Sequence, residues 1–250
     1  MDNLNSFTGL VRRCVDDYHM IESGDCIAVG VSGGKDSLLL LAALHCLRRY
    51  YPKPFELVAI TCDLGLPCMD FSGVSEWCAS LGVPYKTVTT DIREIVFDLR
   101  RESNPCSLCA KMRKGALNTA AAELGCGKVA LGHHFDDAVE TFLMNLLLEG
   151  RVGCFQPVTY LDRSGITQIR PMLYAGEKRA AQLAARLNLP VVPTTCPMDK
   201  TSKRYEFKQL IAELSARYPD LKTKVFGAMT RLPLEGWETF APTEEATRDE

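Results

Sequence analysis

Three short runs in this chain carry side chains that could do chemistry. The first is Ser32-Gly33-Gly34-Lys35-Asp36-Ser37, placed directly after an apolar, β-branched stretch and directly before an apolar run at 38–47. Paired glycines let backbone N–H groups turn towards an anion, and a helix N-terminus adds its dipole. Lys35 adds a positive charge, and Ser32 and Ser37 add hydroxyls. Such a loop suits phosphate. It is not the commoner ATPase loop, which needs four residues before its Gly-Lys pair and a Ser or Thr after it. Here three residues separate Gly30 from Gly34, and Asp36 follows Lys35.

The second run is Cys106-Ser107-Leu108-Cys109, after Pro105 and ahead of Arg113. Two thiols at this spacing on a helix start can face one centre, where the dipole favours their thiolates. The spacing leaves open a thiol redox pair, half a zinc site, or part of an iron–sulfur site. Structural zinc usually brings a second Cys or His pair, which is missing; Cys196 is the remaining promising thiol. Three thiolates suit a cluster with one iron left open, and simple packing roles for all three stay open too.

The third run is Gly132-His133-His134-Phe135-Asp136-Asp137. Gly132 permits close backbone approach to a nucleotide. Asp136 and Asp137, at the start of an expected helix, could hold Mg²⁺ on ATP or relay a proton; Asp136 could equally just cap the helix. His133 and His134 read as neighbours of the nucleotide rather than as metal ligands.

These runs must be positioned by regular elements. Apolar patterning predicts strands at 26–31, 56–62, 85–89, 128–131 and 191–192, and an amphipathic helix over the first 20 residues. Further helices are predicted at 36–50, 73–81, 92–99, 108–124, 136–149, 177–187 and 202–217. The stretch 151–172 reads as irregular, with a short hairpin around Asp162–Gly165. Alternating strands and helices imply a doubly wound, mostly parallel α/β sheet with helices on both faces, whose ligands sit beyond the carboxyl ends of the strands. The expected layout is an N-terminal helix (1–24), a nucleotide domain (25–193), a helical C-terminal extension with Cys196 (194–236) and a loose tail (237–250).

Bulk properties bound the answer. The 250 residues carry 46% apolar and 24% charged side chains with a net charge of −2, ordinary for a water-soluble domain and unlike a chain that coats nucleic acid by global attraction. Locally, residues 199–224 hold seven Lys or Arg against four acids, among them Lys200, Lys203, Arg204, Lys208, Arg217, Lys222 and Lys224. With Lys111 and Lys114 they form the candidate phosphate-contacting face. No apolar run spans a membrane and the N-terminus lacks a signal-peptide core, so a cytoplasmic protein is expected. Eleven cysteines, an odd number, are then not a disulfide framework. Cys14, Cys26, Cys46, Cys62, Cys78 and Cys126 read as packing residues, and Cys68 and Cys154 have no assigned role.

The Ser-Gly-Gly-Lys-Asp-Ser run resembles the pyrophosphate loop of the ATP pyrophosphatases, the PP-loop ATPases of adenine nucleotide alpha hydrolase-like fold. Those enzymes split ATP between its α and β phosphates. Adding Cys-Ser-Leu-Cys with Arg113-Lys114-Gly115, the Leu-Gly-His-His-x-Asp-Asp run, the Arg170-Pro171-Met172-Leu173 turn and the late cysteine, the chain resembles the tRNA 2-thiocytidine synthetase family from about Leu10 to Met229. The resemblance implies that ATP adenylates a cytidine carbonyl on tRNA, and that sulfur carried on the open iron of a 4Fe–4S cluster displaces AMP. It implies Cys106, Cys109 and Cys196 as cluster ligands, and Ser32, Gly33, Gly34, Lys35, Asp36, Ser37, Gly132, His133 and Asp136 as the ATP and Mg²⁺ site. Lys35, Asp36, Arg113 and Asp137 are the expected catalytic groups. A cysteine desulfurase or free sulfide would supply sulfur, and a homodimer is open. One departure is visible: the family's third cysteine stands in a Cys-x-x-Cys-Gly-Ser-Gln stretch, whereas Cys196 stands alone between Thr195 and Pro197. A uridine thiolase of the same mechanism, a cluster-free ligase of the tRNA lysidine synthetase type, and an ATP-binding redox or metal sensor are the rival readings.

Overall fold

The computed structural model describes residues 3–101, 104–199 and 201–231. Helix α1 (Leu4–Asp17) precedes strand β1 (Asp25–Gly30) and helix α2 (Lys35–Arg48), followed by β2 (Phe55–Asp63), α3 (Ser72–Ser80) and β3 (Tyr85–Thr89). A π-helix (Glu94–Arg100) leads to α4 (Pro105–Glu123), β4 (Lys128–Ala130), α5 (Phe135–Glu149), β5 (Val158–Leu161), β6 (Ile166–Ile169) and α6 (Glu177–Arg186). Two C-terminal helices, α7 (Lys203–Arg217) and α8 (Leu221–Arg231), complete the described chain. The tail expected at 237–250 and Lys200 lie outside the described residues.

The six strands run in the order β3-β2-β1-β4-β6-β5, all parallel except the edge strand β5. Alternate residues explain why both sheet faces are covered. Ile27, Val29, Leu57 and Ala59 join one core with α1, α2, α3 and α6, while Ala28, Ile60 and Val129 join a second with Leu117, Ala120 and Ala121 of α4. Residues 38–44 of α2 are all buried, as expected of a helix that is apolar on every side. Burying such a leucine stabilises the fold by roughly 2 kcal/mol per side chain.

The order reverses at β1, whose neighbours are β2 on one side and β4 on the other. Loops leaving β1 and β4 therefore flank the crevice where open α/β sheets bind ligands. These are the phosphate-type loop and the Gly132–Asp137 run.

Three expectations need correction. The pair at 191–192 is not a strand: Pro190 and Pro193 remove flanking N–H donors, and the place beside β4 is taken by β6. The stretch 151–172, expected to be irregular, supplies that strand. Its hairpin forms where expected, with the Ser164 and Gly165 N–H groups donating to Leu161 O. The helix expected at 92–99 is wound largely as a π-helix, because an apolar pattern this short does not separate the two windings. The fold also adds α8 beyond the helices predicted.

Candidate active site

The loop after β1 is stiffened by its own side chains. Ser37 Oγ accepts from Ser32 N (3.1 Å) and donates to Gly34 O (2.9 Å). Gly33 sits at φ +82°, where a Cβ would lie 2.9 Å from Val192 Cβ and 3.1 Å from Phe71; only glycine fits that backbone comfortably. Gly34 caps α2 without a side-chain hydrogen bond, so the first N–H groups of the helix point at the crevice with their dipole. Lys35 Nζ is 2.8 Å from Asp36 Oδ2 and 3.5 Å from Glu177 Oε1. Asp36 Oδ1 is buried with no hydrogen-bond partner among the described residues, an acceptor left for a bound cation or donor.

The loop after β4 meets this turn edge on. A Cβ on Gly132 would come within 3.1 Å of Asp36 C and Ser37 N. Gly132 thus lets the backbone of α2's first turn approach, where the sequence suggested a nucleotide. His134, not Asp136, caps α5: its Nδ1 accepts from Asp137 N (3.3 Å), while His134 N donates to Asp137 Oδ2 (2.9 Å), a reciprocal capping box. Asp136 is committed elsewhere. Its Oδ2 accepts from Glu177 N (2.7 Å) and its Oδ1 from Lys222 Nζ (2.6 Å), so it ties α6 and α8 to α5. Burial opposes its charge, but those two donors hold its pKa below the ordinary value. Asp137 Oδ1 lies 3.4 Å from Arg204.

His133 packs against Phe155, ring centres 4.9 Å apart. Burial, with the charges of Arg170, Arg204 and Arg113, pushes its pKa from 6.5 down to about 3. The sign follows from proton linkage. An unfolded chain takes up this proton near pH 6.5 and the folded one does not, so stability is full above that pH and falls as the pH is lowered towards 3. His133→Phe should therefore gain on the parent by about 1.4 kcal/mol per pH unit between pH 6 and 4 in denaturant melts. A difference that does not change with pH would contradict a neutral, buried imidazole.

The cysteines converge on the same edge. Asn104 caps α4 by accepting from Ser107 N, which places Cys106 and Cys109 on neighbouring turns of one helix face. The segment holding Cys196 arrives by loop contacts. Val192 N donates to Gly33 O (2.9 Å), and Thr195 Oγ1 donates to Pro67 O (2.8 Å) in the loop after β2. Burial raises the Cys106 and Cys109 thiols, and a charge on Cys196 raises both further. Arg113 opposes the rise at Cys109 and is also among the charges acting on His133. Among the described residues no three His, Cys, Asp or Glu side chains are close enough to share a single ion. Cys68 is exposed, and Cys154 donates to Ala138 O inside the fold.

A cavity of about 290 Å³ opens beside the phosphate-type loop, lined by Asp36, His134, Asp137, Glu140 and Glu177 on one side and by Arg204, Tyr205 and Lys208 of α7 on the other. Glu177 and the buried Glu140 were not singled out in the sequence. Helical spacing from Asp136 and Asp137 signals Glu140, and the first-turn position after Gly176 signals Glu177. The expected basic face changes character. Arg204, Lys208 and Lys222 reach inward to Asp137, Glu177 and Asp136, and Lys203 and Lys224 pair with Glu206 and Asp220 of their own segments. The local excess of positive charge is thus largely spent on internal ion pairs.

A family model described as a PP-loop domain matches residues 8–214. The chain is 40% identical over 225 residues to a tRNA-cytidine(32) 2-sulfurtransferase of Pelobacter propionicus, covering 89% of this chain and 84% of that protein. It is likewise 40% identical over 222 residues to the protein of the same name from Geobacter sulfurreducens, covering 88% and 86%. Among solved structures it is similar to the U34-tRNA thiolase NcsA from Methanococcus maripaludis, solved with its 4Fe–4S cluster. The TM-score there is 0.76 at 26% identity, with coverage of 92% of this chain and 79% of that one.

Proposed function

The chain belongs to the PP-loop family, and from that premise we propose that it is an ATP-dependent tRNA sulfurtransferase that converts a cytidine carbonyl to a thiocarbonyl. One observation carries this reading: a phosphate-type loop after β1 is met by the segment bearing Cys196, at the sheet edge where the helix bearing Cys106 and Cys109 begins. Similarity to tRNA-cytidine(32) 2-sulfurtransferases over most of both chains supports cytidine as the target.

The base oxygen is a poor leaving group until it is joined to AMP. It attacks the α-phosphorus of ATP, the bond to the β-phosphate oxygen breaks, and pyrophosphate leaves carrying the electron pair. The residues in reach of that departing charge are Lys35, the hydroxyl of Ser32, and the N–H groups of Gly33, Gly34 and the first turn of α2, while Ser37, whose proton goes to Gly34 O, holds the loop in shape. Preorganised donors of this kind are often the largest source of rate enhancement. The unpartnered Oδ1 of Asp36 is the best candidate for a Mg²⁺ ligand on the phosphates, with Asp137 the other carboxylate near enough to the crevice to assist. Asp136, engaged by Glu177 N and Lys222, serves the frame. Cys106, Cys109 and Cys196 would hold a 4Fe–4S cluster, which supplies an iron without a protein ligand where a sulfide can be held. Arg113, one turn beyond Cys109 on the same helix, is suited to the α-phosphate or the target nucleotide. AMP then leaves with the former base oxygen, and sulfur stands in its place. No electrons are consumed.

The test is mass spectrometry of tRNA nucleosides from cells lacking the protein. We expect 2-thiocytidine to disappear and to return with the intact gene. Loss of a thiolated uridine instead would move the chain to the uridine branch, and an unchanged set of thiolated nucleosides would overturn the reading.

A further inference from the structure

The C-terminal helix α7 supplies the cavity wall opposite the phosphate-type loop, and α8 packs beside it. Apart from a hydrogen bond from Arg204 to the Thr141 hydroxyl, the attachments they make to α5 and α6 by charged side chains go to one set of carboxylates. Arg204 reaches Asp137 (3.4 Å) and Glu140 (3.7 Å), Lys222 reaches Asp136 (2.6 Å), and Lys208 reaches Glu177. Glu177 differs from the others in one respect. The oxygen that accepts from Lys208, Oε1, also lies 3.5 Å from Lys35 Nζ. One carboxylate oxygen is therefore shared by a cation of the phosphate-type loop and a cation of α7.

Resting on the reading of Lys35 as a pyrophosphate contact, we propose that Glu177 is a positioning residue that reports nucleotide occupancy to α7 through Lys208. Two ammonium groups on one oxygen repel each other, so each holds Glu177 less well than it would alone. A pyrophosphate in the loop draws Lys35 towards itself and leaves Glu177 to Lys208. The hold on α7 tightens, and with it the cap at Ser202 and the segment leading back to Cys196. Glu177 is suited to transmit this because its own backbone N–H is fixed on Asp136 Oδ2, so the change is felt at the side chain rather than absorbed by movement of α6. Both lysines keep some solvent contact, which screens the effect. A coupling of about fivefold, the low end for linked sites, is expected.

The experiment uses the full chain purified anaerobically and α,β-methylene-ATP, which cannot be split between those phosphates. Amide hydrogen exchange without RNA reads α7 directly. We expect the analogue to slow exchange across 203–217 by about fivefold in the parent and to leave it unchanged in Glu177→Gln and in Lys208→Gln. The double variant should lose nothing more, since both singles break one link. As a second arm, tRNA binding is measured in the parent and both variants, and binding is expected in all three. Lys208→Gln, on an open helix face, guards against misfolding of the Glu177 variant. Nucleotide-dependent protection that survives in both variants would overturn the proposal, as would its absence in a parent that demonstrably binds the analogue. Failure of the RNA arm alone, with the exchange arm intact, would count against the tRNA reading and not against the coupling.

Discussion

Lys35→Ala should slow RNA-dependent release of pyrophosphate by about a hundredfold or more, the scale seen when one charge-stabilising donor leaves a closed site. The size follows from where the charge sits. Lys35 begins α2, where the helix N-terminus already favours an anion, and its ammonium is held within 2.8 Å of Asp36 and 3.5 Å of Glu177. Removing it deletes the loop's one full positive charge and leaves Asp36, which faces the same crevice, without its counter-ion. A negative group would then stand uncompensated where a triply charged leaving group must form. The effect belongs in the chemical step, so kcat/KM and the single-turnover rate should fall together. Chromatography of α-labelled ATP after reaction with tRNA should show AMP, not ADP, in the parent and in the residual activity of the variant. ADP as the main product would falsify the assignment of cleavage to the bond between the α and β phosphates.

What could be read from residue order was the part of the site built from contiguous chain. The run Ser32–Ser37 announces itself because a glycine pair, a cation and a helix start must be adjacent to hold phosphate. Cys106 and Cys109 share a helix face for the same local reason. The commitments made across the chain were not legible. Asp136 carries the composition of a ligand, but its partners Glu177 N and Lys222 lie 41 and 86 residues away, and only the packing of α5 against α6 and α8 shows that both oxygens are engaged. The lysines and arginine of 199–224 were countable, whereas their direction was not; three of them turn inward to carboxylates from α5 and α6. The route of Cys196 was also misassigned. A valine pair looked like a strand that would carry it to the sheet edge. In the fold, hydrogen bonds from Val192 N to Gly33 O and from Thr195 Oγ1 to Pro67 O bring the segment there, and Gly33 is glycine partly because Val192 lies against it.

That loop arrangement makes Cys196→Ala the most informative variant of the thiol set. Cys106 and Cys109 are held by a helix and would face one centre whether or not a cluster exists. Cys196 is brought from a segment 87 residues beyond Cys109, held by contacts to the loops after β1 and β2. If three thiolates hold a cluster, the anaerobically reconstituted parent should contain about four irons per chain with broad visible absorption, and Cys196→Ala should lose most of both. Thiolation of tRNA should fall below detection. Thermal stability should barely change, because a half-buried loop thiol contributes little to the core, within about 0.5 kcal/mol. Adenylation needs no sulfur, so a single burst of pyrophosphate should survive in the variant, separating the two half-reactions. Cys46→Ala is the control: that thiol lies far along α2, bonded to Asn5, and its loss should leave iron content and thiolation unchanged. Full iron retention in Cys196→Ala would sink the three-thiolate centre, and a pyrophosphate burst lost together with the iron would mean that the thiols shape the nucleotide site as well.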